Sequence, residues 1–373
     1  MKKSLETASK VFLATCLLYL FLLSIGLMGA AFKGFGKDFA ENLVKTTDNP
    51  FVGLLIGILA TSLVQSSSTT TSLVVGIVGS GGLTVANAIP IIMGANIGTT
   101  VTNTLVSLGH VGRRREFRKA IGAATVHDFF NLICVAILFP LEILTGYLEK
   151  TATLLITAFQ NAGGFKFTSP IKIIIKPVVE HIKSISLNIF SNSHTAAYIF
   201  ILILSAIILF FSLYFIVKVM KSLVMSRAEI VLNNIVRRHG NLALLAGLAF
   251  TIMVQSSSIT TSLMIPMVAA GILNIESVFP ITMGANIGTT TTAILASFAT
   301  GNIAAITIAF VHFLFNVTGV LFIYPIPIFR KIPIRLAHIL GIVASRKRRY
   351  AFMYVIGVFF VLPLLLIFLS KLF

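Results

Sequence analysis

The sequence predicts an all-α polytopic membrane protein with two inverted-topology repeats, each containing a re-entrant helical hairpin and a broken helix. One observation is composition: of 373 residues, 57% are hydrophobic and 11% are charged. A soluble core cannot bury so much apolar sequence, whereas about 20 apolar residues cross a bilayer of about 30 Å. The other two observations are a polar segment that occurs twice and the placement of the basic residues. Together they exclude a chain of soluble domains.

Apolar runs of spanning length are clearest at Val11 to Phe32, Ala196 to Val217 and Tyr350 to Ser370. The first run is 22 residues long, beyond the roughly 7 to 15 of a signal peptide's apolar region. We therefore expect it to remain as the first span. Cys16 and Cys134 both fall inside apolar runs, where a packing role is expected rather than a disulfide.

Lysine and arginine outnumber aspartate and glutamate by 29 to 11, an excess that in a soluble protein would suggest nucleic acid. In a membrane protein it sets topology. Three basic clusters follow apolar runs, at 113–119, 218–238 and 330–349. The positive-inside rule places them and the N-terminus in the cytoplasm, with the chain as a multi-pass protein of the cell membrane. Residues 166–183 hold four lysines against Glu180 alone, yet the parity of the spans places them outside.

The segment that begins at Gln65 matches the segment that begins at Gln255 with a constant shift of 190 residues. Of the 36 aligned positions, 21 are identical. After a five-residue deletion the match continues, with residues 126–131 equivalent to residues 311–316. The chain therefore contains a duplicated unit.

Three crossings are expected between the two copies, at about 84–108, 120–139 and 196–217. Because three is odd, the second copy should enter the membrane in the opposite orientation, as in many secondary transporters. We divide the chain into a first repeat at 11–164, an extracellular inter-repeat loop at 165–195, and a second, inverted repeat at 196–373.

The apolar runs on either side of each Gln-Ser-Ser-Ser motif are only about 13 or 14 residues long. Two short helices joined at a polar tip predict re-entrant hairpins at about 51–80 and 242–271. Irregular backbone at membrane depth is tolerated only where it is buried in protein or lines a wet cavity. One continuous helix with a serine stripe is the alternative, but Pro90 and Pro280, ahead of the next repeated motif, favour interrupted helices.

The duplicated hydroxyl cluster predicts a binding site. A helix that begins at a hairpin tip presents unpaired N–H groups and the positive end of its dipole, which suits a tetrahedral oxyanion such as phosphate. Hydroxyl groups that bond back to their own helix are the structural alternative. The predicted anion-binding residues are Gln65, Ser66, Ser67, Ser68, Gln255, Ser256, Ser257 and Ser258.

The Gly-Ala-Asn-Ile-Gly-Thr-Thr segments at 94–100 and 284–290 supply neutral oxygens of the kind that coordinate sodium at helix breaks. Glycines that only allow close helix packing are the alternative. Asp128, beside His127, is a further candidate, because an ionised carboxylate at mid-membrane costs about 2.5–3.5 kcal/mol and needs a partner or a cation. The second copy keeps the histidine, as His312, and lacks the acid.

At these residues the chain resembles the type II sodium-phosphate cotransporter family, in the manner of its bacterial homologues. The resemblance covers most of residues 50–145 and 240–325 and includes Thr125–Asn131 and Tyr324–Pro327. It implies sodium-driven uptake of inorganic phosphate, with Na⁺ as the coupling ion and no cofactor. It also places sodium near Asn131, Thr289 and Thr292. With the asparagines and threonines of the two repeated segments, the residues expected at sodium are Asn96, Thr99, Thr100, Asn131, Asn286, Thr289, Thr290, Thr292 and Asn316, with candidate support from His127, Asp128 and His312.

Other functions stay open on the residues alone. The same hydroxyl-rich tips would serve a symporter for sulfate, a carboxylate or an amino acid, and His127 with Asp128 would serve a proton-coupled carrier. A channel or a non-transporting subunit has no need of two matched polar hairpins. An enzyme is disfavoured, because no serine lies in a Gly-x-Ser-x-Gly motif. The expected partners are phosphate, sodium and the lipid bilayer, without nucleic acid, and a homo-oligomer is left open.

Overall fold

The protein is helical throughout the part that the computed structural model describes, residues 2–163, 170–236 and 240–370. The helices of the first half are α1 (Lys2–Gly34), α2 (Lys37–Thr46), α3 (Pro50–Val64), α4 (Ser67–Ser80), α5 (Val85–Gly98), α6 (Val101–Ser107), α7 (Arg114–Thr145) and α8 (Tyr147–Gly163). Those of the second half are α9 (Pro170–Ile189), α10 (His194–Val236), α11 (Gly240–Val254), α12 (Ser257–Ala269), α13 (Ile275–Thr300), α14 (Ile303–Ile323), α15 (Pro327–Arg346), α16 (Arg349–Ile356) and α17 (Leu362–Leu369). The all-α prediction is confirmed.

Six segments of the described chain are long and apolar enough to cross a membrane: Leu5–Gly34, Val85–His110, Arg114–Thr145, His194–Val224, Ile303–Ile323 and Arg349–Leu369. A seventh exists if α2 and α3, which meet at a 93° bend, count as one span. The chain is therefore a polytopic membrane protein. Three of the six lie between the two Gln-Ser-Ser-Ser motifs, which is the number of crossings expected there.

Each Gln-Ser-Ser-Ser motif joins two short helices. The motif at Gln65 separates α3 and α4, of 15 and 14 residues. The motif at Gln255 separates α11 and α12, of 15 and 13 residues. At 1.5 Å per residue each helix is about 20 Å long, less than the roughly 30 Å of the hydrocarbon layer. The chain thus forms a helix–turn–helix at both motifs, and the alternative of one continuous helix is wrong.

The broken helix occurs in only one repeat. In the first, α5 ends at Gly98 and α6 begins at Val101, with a turn at Thr99 and Thr100. In the second, α13 passes without interruption through the equivalent segment. The prediction of a broken helix in each repeat is therefore wrong for the second, in which Pro280 is accommodated inside α13.

The glycines of the two Gly-Ala-Asn motifs allow close helix packing. A Cβ atom on Gly94 would overlap the carbonyl oxygen of Leu54, so α5 lies directly against α3. The equivalent Gly284 would meet the carbonyl oxygen of Leu244 in the same way, so α13 lies against α11. The packing alternative is thus the better account of these glycines, since only a residue without a side chain permits this approach.

The 165–195 segment, expected to be a loop, is largely helical because α9 covers Pro170–Ile189; its residues 165–169 lie outside the described ranges. The protein core lies along α5, α7, α13 and α14, whose inward faces are buried. This core is not purely apolar. It encloses the side chains of Asn96, Asn131, Asn286 and Asn316.

Candidate functional site

The two hairpin tips share an unusual backbone conformation. Gln65 and Gln255 each have φ near 57°, in the left-handed region that side chains other than glycine seldom adopt. They are the only non-glycine residues with positive φ in the described chain. Each ends its helix, donating its N–H to Thr61 O or Thr251 O at 2.7 Å. Such strain costs about 1–3 kcal/mol and is typical of functional sites, so its occurrence at both tips marks them as a candidate site.

The serine after each glutamine begins the next helix. Ser66 and Ser256 are extended, and their hydroxyl oxygens accept the N–H groups of Thr69 at 3.2 Å and of Ile259 at 3.4 Å. Thr69 also donates its hydroxyl to Ser66 Oγ at 2.9 Å. Both serines are therefore N-caps, a position that serine favours strongly. The repeated motif has a local folding role at both tips: the glutamine ends one helix and the serine caps the next.

All eight predicted anion-binding residues line one cavity of about 480 Å³. It lies between the start of α4 and the start of α12, so two helix N-termini border the same space. The first N–H groups of an α-helix have no partner within the helix, and both dipoles present their positive ends there. The cavity can therefore surround an anion with donors from both repeats.

Two lysines outside the repeated motifs also line this cavity. Lys218 and Lys221 belong to α10, which adds Phe210 and Tyr214 to the wall. The Lys218 ammonium lies 5.7 Å from the centre of the Phe215 ring. From the sequence alone, these lysines are predicted only to belong to the cytoplasmic basic cluster at 218–238. Tyr214, Lys218 and Lys221 follow Phe210 by four, eight and eleven residues, which places all four on one helix face. That spacing is a sequence signal that could have linked the two lysines to the aromatic wall.

The second tip is tied to α13 by a side-chain contact. Thr292 donates its hydroxyl to Gln255 Oε1 at 2.8 Å. At the equivalent place in the first repeat, the Thr102 hydroxyl reaches only the backbone oxygen of Gln65, at 3.5 Å. Thr292, predicted at sodium, thus lies beside the second tip and holds its glutamine.

Four buried asparagines connect the two repeats. Asn286 donates its amide to Asn131 Oδ1 at 2.7 Å, and Asn316 donates to Asn96 Oδ1 at 3.2 Å. Asn96 is equivalent to Asn286, and Asn131 to Asn316, so exchanging the repeats turns one pair of residues into the other, with donor and acceptor reversed. Equivalent residues therefore make equivalent contacts across the repeat boundary.

His127 extends this network on one side. Its Nε2 donates to Asn286 Oδ1 at 2.5 Å, which leaves Nδ1 to accept from Asn103 Nδ2 at 3.4 Å. Asn103 Oδ1 in turn accepts the hydroxyls of Thr261 at 2.8 Å and Ser262 at 3.2 Å. A continuous chain of buried hydrogen bonds thus links the hairpin helix α12 to the asparagines.

The equivalent histidine has no such partners. His312 is fully buried, and neither ring nitrogen has a hydrogen-bond partner among the described residues. The position equivalent to Asn103 is Ala293, which has no side-chain donor or acceptor.

Asp128 places an acid at the core. Its Oδ2 accepts the hydroxyls of Tyr354 at 3.0 Å and Thr104 at 3.5 Å. Its Oδ1 is buried with no hydrogen-bond partner among the described residues, and so is Asn316 Oδ1. A buried oxygen with no donor is costly, so both oxygens are available to a cation.

The remaining predicted sodium residues donate their hydroxyl hydrogens to nearby backbone, within the same helix or from the turn that follows it. Each donates to a carbonyl oxygen three or four residues earlier, at 2.7–3.0 Å, and each is buried: Thr99, Thr100, Thr289 and Thr290. Their oxygen lone pairs can still accept or coordinate.

A family model described as Na⁺/Pi-cotransporter matches residues 20–145 and 208–320. The sodium-dependent phosphate transport protein 2B of Homo sapiens is 36% identical, over 93% of this chain and 63% of that protein. The sodium-dependent phosphate transport protein 2A of Rattus norvegicus is 35% identical, over 95% of this chain and 66% of that protein. The chain thus spans less than two thirds of the length of these relatives, and no solved structure matches it significantly. Since the model covers more than half of the residues, the chain belongs to the Na⁺/Pi-cotransporter family.

Proposed function

We propose that the chain is a secondary active transporter that carries inorganic phosphate into the cell together with sodium. The observation that carries this proposal is the single cavity lined by both Gln-Ser-Ser-Ser tips. The names of its relatives, which are sodium-dependent phosphate transport proteins, support the choice of substrate and coupling ion.

Phosphate is held in this proposal by the tips rather than by a fixed ion pair. The N–H groups of Ser67 and Ser257 and the serine hydroxyls donate to its oxygens, in the manner of anion sites at helix N-termini. Among the described residues no aspartate or glutamate lines the cavity, and the two lysines on its α10 wall are solvent-exposed. They attract the anion without burying a charge against it, which leaves phosphate free to depart.

Sodium is held deeper, beside the polar core. The two buried oxygens without donors, Asp128 Oδ1 and Asn316 Oδ1, are the hard ligands that a small cation prefers. Thr99, Thr100, Thr289 and Thr290 add hydroxyl oxygens. The bonded chain from Thr261 through Asn103 and His127 connects this region to α12, so occupancy at one site can affect the geometry of the other.

The two repeats have opposite orientations in this proposal, with the hairpins re-entrant. The three candidate spans between the motifs and the exchangeable asparagine contacts both support it. With the N-terminus in the cytoplasm and the protein in the cell membrane, Lys218 and Lys221 lie towards the cytoplasmic end of α10. The tip cavity then opens inward, and alternating access, by an elevator-like displacement of the hairpins, would present it to the outside.

Energetics set a lower limit on coupling. Moving a divalent phosphate inward against 100 mV, negative inside, costs about 2 × 2.3 kcal/mol, and each entering sodium returns about 2.3 kcal/mol. Two sodium ions therefore make the cycle electroneutral, and we expect at least two.

The test is uptake by the purified full chain in liposomes. An inward sodium gradient should drive concentrative uptake of labelled phosphate, and replacing sodium with potassium should abolish it. Excess sulfate or succinate should not compete, and an inward proton gradient should not substitute for sodium. Equal concentrative uptake in sodium-free buffer would refute sodium coupling, and stronger competition by sulfate would refute phosphate as the substrate.

A further inference from the structure

A second cavity, of about 420 Å³, lies between α1, α4, α9, α10 and α13. In the part of the chain that the structure describes, its wall contains four lysines and one acid: Lys33, Lys172, Lys176, Lys183 and Glu180. The net charge of these side chains is therefore +3, from four positive groups and one negative. None of these residues belongs to the repeated motifs.

This cavity lies at the far end of the helices that form the tip cavity. On α10, Tyr198 lines the lysine cavity and Lys218 lines the tip cavity. They are 20 residues apart, which is about 30 Å along a helix. On α4, Gly79 lines the lysine cavity and Ser67 lines the tip cavity. They are 12 residues apart, or about 18 Å. The two cavities therefore lie towards opposite faces of the membrane, with the lysine cavity outside in the proposed topology.

The packing of α9 directs its lysines towards the cavity. Ile175 and Val179 lie against Gly26 of α1, each with a methyl group about 3.1 Å from where a Cβ on that glycine would be. Ile173 and Ile174, on the other side of the helix, are exposed. The charged residues of α9 recur at intervals of four, four and three, from 172 to 183, which places them on one face.

The positive charges are only partly balanced. Glu180 lies 3.9 Å from Lys183. The Lys172 side chain lies against Gly301, at the carboxyl end of α13, where a helix dipole favours a cation. Lys33 and Lys176 have no carboxylate within salt-bridge distance in the described chain. Like charges held around one cavity repel each other, and an anion between them relieves that repulsion.

We propose that this lysine cavity is a second oxyanion site, which binds a phosphate group on the face of the membrane opposite the tip cavity. The shared chemistry is that of a phosphate oxyanion, supplied either as free inorganic phosphate or as the headgroup of an anionic lipid. As a site for free phosphate it raises the local concentration of the anion before transport, by electrostatic steering. That role rests on the proposed function, whereas binding itself does not.

Lysine footprinting tests binding without any measurement of transport. The full chain, in nanodiscs of phosphatidylcholine, is treated with an amine-reactive reagent, and the modification of each lysine is read by mass spectrometry. Inorganic phosphate should slow the labelling of Lys33, Lys172 and Lys176 at least about threefold relative to chloride at the same ionic strength. Lys45 and Lys150, which are exposed and line neither cavity, are internal controls and should be unaffected.

A second set of nanodiscs, containing phosphatidylglycerol, distinguishes the source of the phosphate group. Protection that appears without added phosphate and persists at high phosphate identifies a lipid headgroup as the occupant, and supports the site. If neither phosphate nor the anionic lipid slows the labelling of the cavity lysines more than that of the control lysines, the site is refuted.

The steering role has its own measurement. K33Q, K172Q and K176Q combined should raise the apparent constant for phosphate uptake about threefold at low salt, with little change at high salt, where screening removes the effect in both proteins. The control pair K45Q and K150Q should leave it unchanged. Protected lysines together with an unchanged uptake constant would refute steering and leave the oxyanion site.

Discussion

The two repeats are alike at their tips and unlike in their interiors. Both tips use a left-handed glutamine and a capping serine. In the interior, His127 bonds on both sides, whereas His312 bonds on neither. The acid Asp128 has its equivalent in Phe313, and the amide Asn103 in Ala293.

This difference suggests a division of roles. An anion that sits between two tips is best served by matched donors, so both copies of the motif keep the same geometry. A cation site needs only one carboxylate, and two sites can be connected by a single chain of hydrogen bonds. The second repeat therefore has Phe313 and Ala293 in place of the acid and the amide, while its tip keeps the same geometry.

The largest effect is expected at the tips. Replacing Ser66 and Ser256 together with alanine removes two hydroxyls from the cavity. Because a hydrogen bond to a charged group contributes about 1.5–3 kcal/mol, each loss should raise the apparent phosphate constant about tenfold or more. The measurement is the concentration dependence of uptake in liposomes.

Glycine at the same two positions is the matched control. Serine to glycine at an N-cap costs only a few tenths of a kcal/mol, against about 0.5–2 kcal/mol for alanine. If phosphate contacts the hydroxyls, both replacements weaken uptake equally. Weakening by alanine alone would mean that the serines serve only as caps, and the tip assignment would fail.

The next effect concerns the unmatched acid. Asp128→Asn keeps the shape and the bond from Tyr354 while removing the charge, so we expect the apparent sodium constant to rise about tenfold. Sodium at 100 times its dissociation constant should stabilise the unaltered protein by about 2.7 kcal/mol, and the same sodium concentration should stabilise the variant by only about 1.4 kcal/mol.

Thermal unfolding of the detergent-purified protein with and without sodium measures the stabilisation by sodium. Phe313→Leu, at the equivalent place in the second repeat, should change neither quantity. A variant at Asp128 that retained the full stabilisation by sodium would remove that residue from the cation site.

The helix breaks at the tips could be predicted from the sequence, whereas the contacts in the interior could not. The short apolar runs on either side of Gln65 and of Gln255 predict the helix breaks, because the length and polarity of a run are local properties of the sequence. The break at Gly284 was predicted wrongly, because glycine permits both a turn and a close contact, and only the position of Leu244 decides between them.

Partners from distant segments could not be predicted. Lys218 and Tyr354 reach their sites from helices that carry no repeat motif. The unequal bonding of His127 and His312 depends in part on Asn103, which lies 24 residues from His127 and has no amide equivalent in the second repeat. It also depends on side-chain placement, because His127 bonds to Asn286 whereas His312 makes no bond to the equivalent Asn96. Single residues of this kind have no periodic pattern in the sequence to reveal them.

A smaller effect separates the two histidines. His127→Phe leaves Asn286 Oδ1 and an Asn103 amide hydrogen buried without partners, which should cost about 1–3 kcal/mol of stability. His312→Phe removes two nitrogens that have no partner, so it should be neutral or stabilising. Thermal unfolding of both variants, followed by uptake, measures the contrast. Equal destabilisation by the two substitutions would show that packing volume, and not the hydrogen-bonded chain, distinguishes the histidines.

The smallest effect tests the strain at the two tips. Gln65→Gly relieves a left-handed conformation and should raise stability by up to about 1 kcal/mol. Gln255→Gly relieves the same strain but loses the bond from Thr292, worth about 1 kcal/mol, so it should be close to neutral. Thermal unfolding separates the two, and Gln65→Ala, which removes the side chain but keeps the strain, is the control. A stability gain in Gln65→Gly accompanied by weaker phosphate uptake would mean that the strained glutamine is kept for binding; a gain without loss of uptake would assign it to folding alone.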